Sequence, residues 1–222
     1  MELLAVGTDA KTVKGEKKGV MTGIMYLTPG KTCPFASPGC KAACLNTAGR
    51  GAFNNVQEGR ARKTALFYKD KAAFVDILKK DVMALVKKAK KNDLFPAVRL
   101  NGTSDICWEN IPGTNGKTVF EDFPSVQFYD YTKNPTRLGK VPSNYDLTFS
   151  LSEINAEEAL NIARNSVARI AVVFKTVPDT WKGLTVINGD ESDIRFNDPK
   201  GVVVGLTAKG KAKKDTSGFV IA

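Results

Sequence analysis

Three of the four cysteines in this 222-residue chain lie in one short segment, with the spacing Cys33-x6-Cys40-x3-Cys44. The chain contains no histidine. A dense group of thiols in a chain with few other cysteines is typical of a metal-ligand set or a redox site. The absence of imidazole excludes Ser-His-Asp and Cys-His catalysis, Cys₂His₂ zinc and His-ligated iron. The chemistry of this protein must therefore use thiolates, carboxylates, hydroxyls, amides and basic side chains.

The spacing of these cysteines leaves three interpretations open. A [4Fe–4S] cluster fits best, because it can bind three thiolates and leave one iron open. Pro34, Pro38 and Gly39 would let the backbone wrap closely around such a cluster and donate amides to its sulfides. A Cys₄ zinc site is the alternative if Cys107 supplies a fourth thiolate, whereas under the cluster interpretation Cys107 is only a neighbour. The third interpretation is three inert cysteines.

Length and composition are those of an ordinary globular protein, and we expect a single domain over residues 1–222. Within it we distinguish a cysteine loop at 31–51 and a basic C-terminal tail at about 207–222. The N-terminal residues lack the features of a signal peptide, and no apolar run reaches membrane-spanning length. We therefore expect a cytoplasmic, reducing location, in which the cysteines do not form structural disulfides.

The formal net charge of +10 favours polyanionic partners, such as nucleic acid, nucleotides or a phosphorylated small molecule. Much of this charge lies in lysines of a predicted helix at about 71–91 and in the basic tail. A solvated helix face and a solvated tail explain these lysines more simply than a dedicated nucleic-acid surface. The sequence does not define the oligomeric state.

Seven short apolar runs predict β-strands, and they alternate with helical segments. The clearest helix covers about 71–91, where apolar side chains recur on one stripe, and further helices are predicted at about 56–68 and 155–164. This alternation indicates a mostly parallel α/β sheet, and seven strands favour a partial (β/α)₆-type barrel over a flat doubly wound sheet. The predicted strands are at 19–27, 97–100, 126–129, 147–151, 170–174, 184–187 and 202–206.

Polar residues follow six of the seven predicted strands. In parallel α/β folds the C-terminal ends of the strands meet at one rim, where reactive groups collect. One polar loop is ordinary, but a set that converges on one rim predicts a functional site there. After the first strand comes the cysteine loop, and after the others come 101–105, 130–133, 152–153, Lys175 and 188–195.

Several segments, taken in order, resemble the phage-encoded gene product 88 family. They are Cys-Pro-x5-Cys-x3-Cys from Cys33, 47–51, 60–64, 98–105, 128–133, 148–153, 189–196 and 205–210. The resemblance covers most of the chain from about Gly19 onward. A three-cysteine loop after an opening strand is also similar to the cluster loop of radical S-adenosylmethionine (SAM) enzymes, whose fold is a partial (β/α)₆ barrel. Here the cysteine spacing is wider than their Cys-x3-Cys-x2-Cys, and their Gly-Gly-Glu element has no literal match; 101–105 occupies a comparable place.

This resemblance implies that Cys33, Cys40 and Cys44 bind a [4Fe–4S] cluster and that SAM binds at its open iron. It implies an enzyme that acts on an unidentified small-molecule or nucleotide substrate. Catalytic or substrate-side roles are implied for Asp105, Tyr129, Asp130, Lys133 and Glu153. Contacts to the cofactor are implied for Asn101, Gly102, Ser104, Ser150, Ser152, Asp190, Asp193 and Arg195.

Two alternatives to these roles remain open. Arg195 near Asp193 fits a structural ion pair equally well, and Tyr129 fits simple packing. The competing hypothesis for the whole protein is a Cys-ligated zinc protein that binds nucleic acid or a host protein without catalysis. A cluster with only a structural or electron-transfer role is a third hypothesis.

Overall fold

The computed structural model describes residues 1–7 and 10–222, which form a single ten-stranded sheet flanked by helices. The strands are β1 (Leu4–Val6), β2 (Val20–Met25), β3 (Phe95–Arg99), β4 (Gln127–Thr132), β5 (Tyr145–Ser150), β6 (Ile170–Phe174), β7 (Thr180–Trp181), β8 (Leu184–Asn188), β9 (Val203–Thr207) and β10 (Val220–Ile221). All seven predicted strands are present, as β2 to β6, β8 and β9.

The strand order is β1-β2-β3-β4-β5-β6-β9-β8-β7, and β10 also pairs with β6. Every pairing between β2 and β8 along this order is parallel, whereas β1 and β7 are antiparallel to their neighbours. The C-terminal ends of the parallel strands therefore lie along one edge of the sheet, which we call the C-terminal rim. The predicted mostly parallel α/β architecture is confirmed.

The helices in the described residues are α1 (Ala10–Glu16), α2 (Pro38–Ala42), α3 (Asn54–Lys69), α4 (Lys71–Lys91), α5 (Val119–Asp122) and α6 (Ala156–Arg164). The long helix α4 has the predicted bounds and begins where the Asp70 carboxylate accepts the Ala73 amide at 2.9 Å. Its apolar stripe, which includes Phe74, Leu78 and Leu85, is buried against the sheet, while most of its lysines face solvent. None of the described helices is both long and apolar enough to span a membrane.

Alternate side chains of the strands enter two different layers, as the pleat requires. On one face Val98 and Phe128 pack with the α4 stripe in the main core. On the other face Ala97 and Tyr129 pack with Ile194, which belongs to the segment between β8 and β9. We call this second face the inner face, because it would line the interior if the sheet curled into a barrel.

The predicted partial barrel is not confirmed, because the sheet remains open between β1 and β7 throughout the described chain. The segment 189–198 covers the inner face instead. The connections from β4 to β5 and from β8 to β9 contain only the 3₁₀ turns Pro135–Arg137 and Arg195–Asn197. The continuous layer of helices that surrounds a (β/α) barrel is therefore incomplete.

The last residues of the basic C-terminal tail are part of the sheet. Phe219 and Val220 are buried, and β10 pairs Val220 with Val173 of β6. The strand β5 pairs with β6 only at Phe149 and Ser150, and β10 lies beside β6 farther toward the rim. The C-terminus thus fills the gap that opens between β5 and β6 at the C-terminal rim.

Candidate functional site

The cysteine loop 31–51 leaves β2 and lies over the C-terminal rim. Its first residues are fastened to the segment that follows β3. The Asp105 amide donates to the Thr32 carbonyl at 2.8 Å, and the Thr103 hydroxyl donates to the Leu27 carbonyl at 2.5 Å. The ends of two neighbouring strands therefore hold the start of the loop, as predicted from their order in the chain.

The short helix α2 within the loop is held by Glu153, which follows β5. The Glu153 carboxylate accepts the Ser37 hydroxyl and the Gly39 amide, both at 2.7 Å. Ser37 is also the N-cap, because its hydroxyl oxygen accepts the Cys40 amide at 3.1 Å. A methyl group on Gly39 would lie 2.8 Å from the Glu153 carboxyl carbon, so this close approach requires glycine.

Cys33 and Cys44 are close enough to interact electrostatically. Burial raises the pKa of the Cys33 thiol, and the negative charges of Asp105 and Cys44 raise it further, while hydrogen bonds from Thr32 and Gly30 act in the opposite direction. The Cys33 Sγ donates to the Thr103 carbonyl at 3.6 Å. Cys33 is thus a partly buried thiol directly above the end of β3.

Cys40 lies farther along the rim and packs against the apolar cluster that the C-terminal segment forms with Ala43. Cys107 is near the same edge, where its sulfur accepts the Asn134 side-chain amide at 3.9 Å. Burial raises the pKa of Cys107, and the positive charge of Arg137 partly opposes this. All four cysteines are free thiols of intermediate burial.

Among the described residues, no group of three or more His, Cys, Asp or Glu side chains could hold a single metal ion. A zinc ion needs its thiolates about 2.3 Å from one point, so the loop does not fit a mononuclear site. A four-iron cluster binds each thiolate at a different iron and therefore takes a wider triangle. Three free thiols on one loop are the type of donor that such a cluster binds.

Two further predicted site residues, Lys133 and Ser150, lie near the part of the loop that carries Cys40. The Lys133 ammonium donates to the Ser150 hydroxyl at 3.1 Å and lies 5.6 Å from the centre of the Phe219 ring. Phe219 belongs to the cluster against which Cys40 packs. These contacts place a lysine and a serine beside the cysteine loop, where a ligand on the rim could meet them.

Asp105 is occupied by structural contacts. Its carboxylate accepts the Thr132 hydroxyl and the Lys133 amide, both at 2.8 Å, and pairs with Arg137 at 3.0 Å. Arg137 is almost fully buried and also holds Glu109 at 2.7 Å. The arrangement joins the ends of β3 and β4 and leaves Asp105 little capacity to act on a substrate.

Asp130 is completely buried. Its carboxylate accepts the Leu100 amide at 3.2 Å, the Asn101 amide at 2.9 Å and the Tyr145 hydroxyl at 2.8 Å. Burial raises the pKa of Asp130 to about 6, although Arg99 and these hydrogen bonds act to lower it. Asp130 therefore connects three strands beneath the rim rather than facing the loop.

Asn101 and Ser104 also turn inward. The Asn101 side-chain oxygen accepts the Ser104 hydroxyl at 2.7 Å, the Ile106 amide at 3.0 Å and the Trp108 indole N–H at 3.1 Å. Gly102 lies against β2, where a methyl group would come within 2.6 Å of the Met25 carbonyl. The segment 101–105 is thus a compact turn that orients the end of β3.

Asp193 forms a buried ion pair on the inner face, but its partner is Arg99, at 2.6 Å, rather than Arg195. Arg195 pairs with Asp198 at 2.9 Å. Tyr129 and Tyr131 lie with their ring centres 5.8 and 5.1 Å from the Arg99 guanidinium. These contacts favour structural roles for Asp193, Arg195 and Tyr129. The ion pairs, however, are Asp193 with Arg99 and Arg195 with Asp198 rather than Asp193 with Arg195.

Asp190 and Ser152 are held by local contacts. The Asp190 carboxylate accepts the Thr207 amide at 2.9 Å and pairs with Lys209 at 2.5 Å, which fastens the ends of β8 and β9 together. Ser152 is buried, and its amide donates to the Asn155 side chain at 2.7 Å ahead of α6. Neither residue has a described contact with the cysteine loop.

Sequence reasoning missed the buried arginines that organise these networks. Arg99, Arg137 and Arg169 are each less than a tenth exposed, and each pairs with at least one aspartate. Arg169 pairs with Asp146 across β5 and β6. The available signal was an arginine inside an apolar run, as at 98–100 and 168–170, because a buried arginine requires an acidic partner.

Fold and site together define a mostly parallel, open α/β protein with a thiol-bearing loop over its C-terminal rim. A family model described as Gene product 88 matches residues 2–222, and the chain belongs to this family of phage proteins. The family resemblance drawn from the sequence motifs is thereby confirmed. No curated protein and no solved structure matches the chain.

Proposed function

We propose that this protein is an iron–sulfur protein in which Cys33, Cys40 and Cys44 bind a [4Fe–4S] cluster at the C-terminal rim. The observation that carries the proposal is the arrangement of the loop: three partly buried free thiols lie on one segment that β3 and β5 hold in place. The Gly39 amide and the Ser37 hydroxyl are held by Glu153, which fixes the Cys40 helix before any ligand binds.

We further propose a radical-SAM-like enzyme, which would use the reducing power of such a cluster to cleave SAM. The support is the place of the loop after the first parallel strand of the sheet. In this proposal Lys133 and Ser150 orient the substrate near the loop. Lys133 contacts both Ser150 and Phe219, and Phe219 belongs to the cluster against which Cys40 packs. Asn101 and Asp193, for which the resemblance implies contacts to SAM, make buried contacts within the fold, Asn101 with Ser104 and Asp193 with Arg99.

The zinc alternative has no comparable support, because no described group of side chains could hold one ion. It remains testable by metal analysis of the same preparations. If the protein is colourless and carries one bound zinc, the cluster proposal is rejected in favour of the zinc alternative.

The test is anaerobic reconstitution with iron and sulfide, followed by visible absorbance and iron and sulfide analysis. We expect brown protein with iron and sulfide in equal amounts. Single Cys→Ser variants at 33, 40 and 44 should lose the cluster, whereas Cys107→Ser should retain it. Retention of the full cluster by Cys40→Ser would contradict the assignment.

The enzymatic part is tested on cluster-loaded protein mixed with SAM and a reductant, by measuring 5′-deoxyadenosine. Formation of this product by the wild type but not by Cys40→Ser supports the enzyme. A loaded, reduced cluster that leaves SAM intact would reject the radical-SAM part and leave an iron–sulfur protein with an electron-transfer or structural role.

A further inference from the structure

Large apolar side chains are exposed on the cysteine loop and the two residues after it. Phe35 is 46% exposed, Leu45 is 53% exposed and Phe53 is 59% exposed. Ile154, at 71%, directly follows Glu153, which holds the loop. Four of the ten large exposed hydrophobic residues in the described chain thus lie on or next to this loop, which is more than isolated exposure explains.

The charged side chains of the loop itself are all basic. The sequence contains no acidic residue between Glu16 and Glu58, while Lys31, Lys41 and Arg50 of the loop are exposed. An uninterrupted cationic segment of this kind attracts a polyanion.

The C-terminal segment adds three exposed lysines beside the loop: Lys211, Lys213 and Lys214. Gly210 approaches Ala48 so closely that a methyl group would lie 3.3 Å from the Ala48 side chain. Lys211 and Lys214 line a hollow of about 270 Å³ together with Ala42 and Ala43.

One acid, Asp215, lies in this part of the tail and lines the same hollow. Its carboxylate accepts the Ser217 hydroxyl at 2.7 Å and the Val220 amide at 3.0 Å. The three lysines outnumber this single carboxylate, so the segment keeps a net positive charge. We call the surface formed by the loop, Phe53 and these lysines the loop face.

We propose that the loop face binds single-stranded nucleic acid, with phosphates on the lysines and bases stacked on Phe35 and Phe53. Proteins that bind single strands combine a basic track with aromatic rings on which bases stack. A duplex would not use these rings, because its base faces are already stacked. A membrane surface is disfavoured, because the longest helix of the loop is the five-residue α2, which is too short to be an amphipathic anchor.

This inference does not depend on the cluster, so the two proposals can fail separately. Binding is measured by fluorescence anisotropy with a labelled strand of about 20 thymidines, using full-length protein with and without the cluster. We expect saturable binding that weakens as salt rises. Absence of binding at low salt by folded protein would overturn the inference, whatever the result of cluster reconstitution.

The aromatic contribution is tested by a double variant, Phe35→Ala with Phe53→Ala, whose exposed positions should leave the fold intact. Each stacked base contributes about tenfold or more in affinity, so we expect a loss of at least about tenfold. Phe95→Ala is the matched control, because Phe95 is 47% exposed but lies at the start of β3, at the opposite edge. Equal effects of the two changes would contradict base stacking on the loop face.

The ionic contribution is tested by changing Lys211, Lys213 and Lys214 to Gln. The loss of three phosphate contacts should reduce the salt slope of log K by about 2. Changing Lys88, Lys90 and Lys91 to Gln removes the same charge at the end of α4, next to the start of β3, and should leave the slope nearly unchanged. Equal slopes for both triple variants, or stronger binding to duplex or to anionic phosphatidylserine vesicles, would overturn the proposal.

Discussion

The carboxylate of Glu153 accepts the amide of Gly39 at 2.7 Å and so joins the end of β5 to the helix that carries Cys40. The same carboxylate accepts the Ser37 hydroxyl. Partial burial acts to raise the pKa of Glu153, but these hydrogen bonds outweigh it and hold the pKa below its ordinary value. Glu153 therefore acts on the loop as a carboxylate, which makes it a positioning residue for the thiols.

Replacing Glu153 with Gln should loosen the loop, because the amide supplies only one acceptor where the carboxylate supplies two. We expect about 1–2 kcal/mol of lost unfolding free energy and faster release of a reconstituted cluster to a chelator. Chemical denaturation measures the unfolding free energy, and the decay of the visible absorbance measures the release of the cluster. Glu157→Gln is the control, because Glu157 is an exposed residue in the first turn of α6.

The effect of Glu153→Gln should depend on pH in a defined direction. A carboxylate with a lowered pKa contributes stability that is present above its unfolded pKa and is lost as the pH falls through its folded pKa. The gap in unfolding free energy between wild type and Glu153→Gln should therefore become smaller as the pH falls. A gap that widens below about pH 4 would contradict the assigned hydrogen bonds.

Gly39→Ala and Gly59→Ala form a matched pair. A methyl group at position 39 would meet the Glu153 carboxyl and the Ser217 hydroxyl at impossibly short range, whereas nothing lies within 4 Å of one at position 59. We expect Gly39→Ala to destabilise the protein and weaken cluster retention. Gly59→Ala, inside α3, should stabilise it by up to about 1 kcal/mol because alanine favours helix. Denaturation midpoints give the comparison, and a neutral Gly39→Ala would indicate that the loop is not packed as described.

Much of the fold follows from sequence patterns that depend only on local burial. The helix 71–91 and the strand 170–174 have the predicted bounds, because each buries a regular apolar face. The strand β10 was not predicted, because it contains only two residues, Val220 and Ile221. It forms by pairing with β6, which is far away in the sequence. The open sheet likewise depends on how the segment 189–198 packs over the inner face.

The candidate site was less predictable than the fold. The cysteine loop could be placed at the rim because it follows a clear strand. The orientation of Asn101, Asp105 and Asp130 could not be predicted, because a polar residue after a strand can equally bind a ligand or satisfy buried donors. In this protein all three satisfy buried groups.

Removing Asp193 should be costly, because the buried Arg99 guanidinium would lose its 2.6 Å partner and keep only the more distant Asp130 carboxylate, at 3.9 Å. We expect Asp193→Ala to lower the unfolding free energy by about 3–5 kcal/mol. Glu58→Gln is the control, since Glu58 and Arg62 form an ion pair that is about two-thirds exposed, and the loss should stay near 0.5 kcal/mol. Urea denaturation measures the loss of unfolding free energy for both variants. A loss for Asp193→Ala as small as that of the control would show that Asp130 compensates the Arg99 charge in the variant.

The buried carboxyl of Asp130 predicts a second pH effect, opposite in sign to that of Glu153. Its folded pKa of about 6 lies above the ordinary value near 4, so the folded protein holds this proton more tightly than the unfolded chain. Its contribution to stability is complete below the ordinary value and is lost as the pH rises through about 6.

Asp130→Asn should remove this pH dependence, which for a shift of this size amounts to about 2 kcal/mol between pH 4 and 7. Denaturation at several pH values measures it, and carbon NMR of the Asp130 carboxyl should titrate with a midpoint near 6. Asp93→Asn is the matched control, because Asp93 is exposed and its backbone φ of 53° is one that asparagine tolerates. A carboxyl that titrates near 4, with parallel pH profiles for both variants, would show that hydrogen bonds to the Leu100 and Asn101 amides outweigh burial.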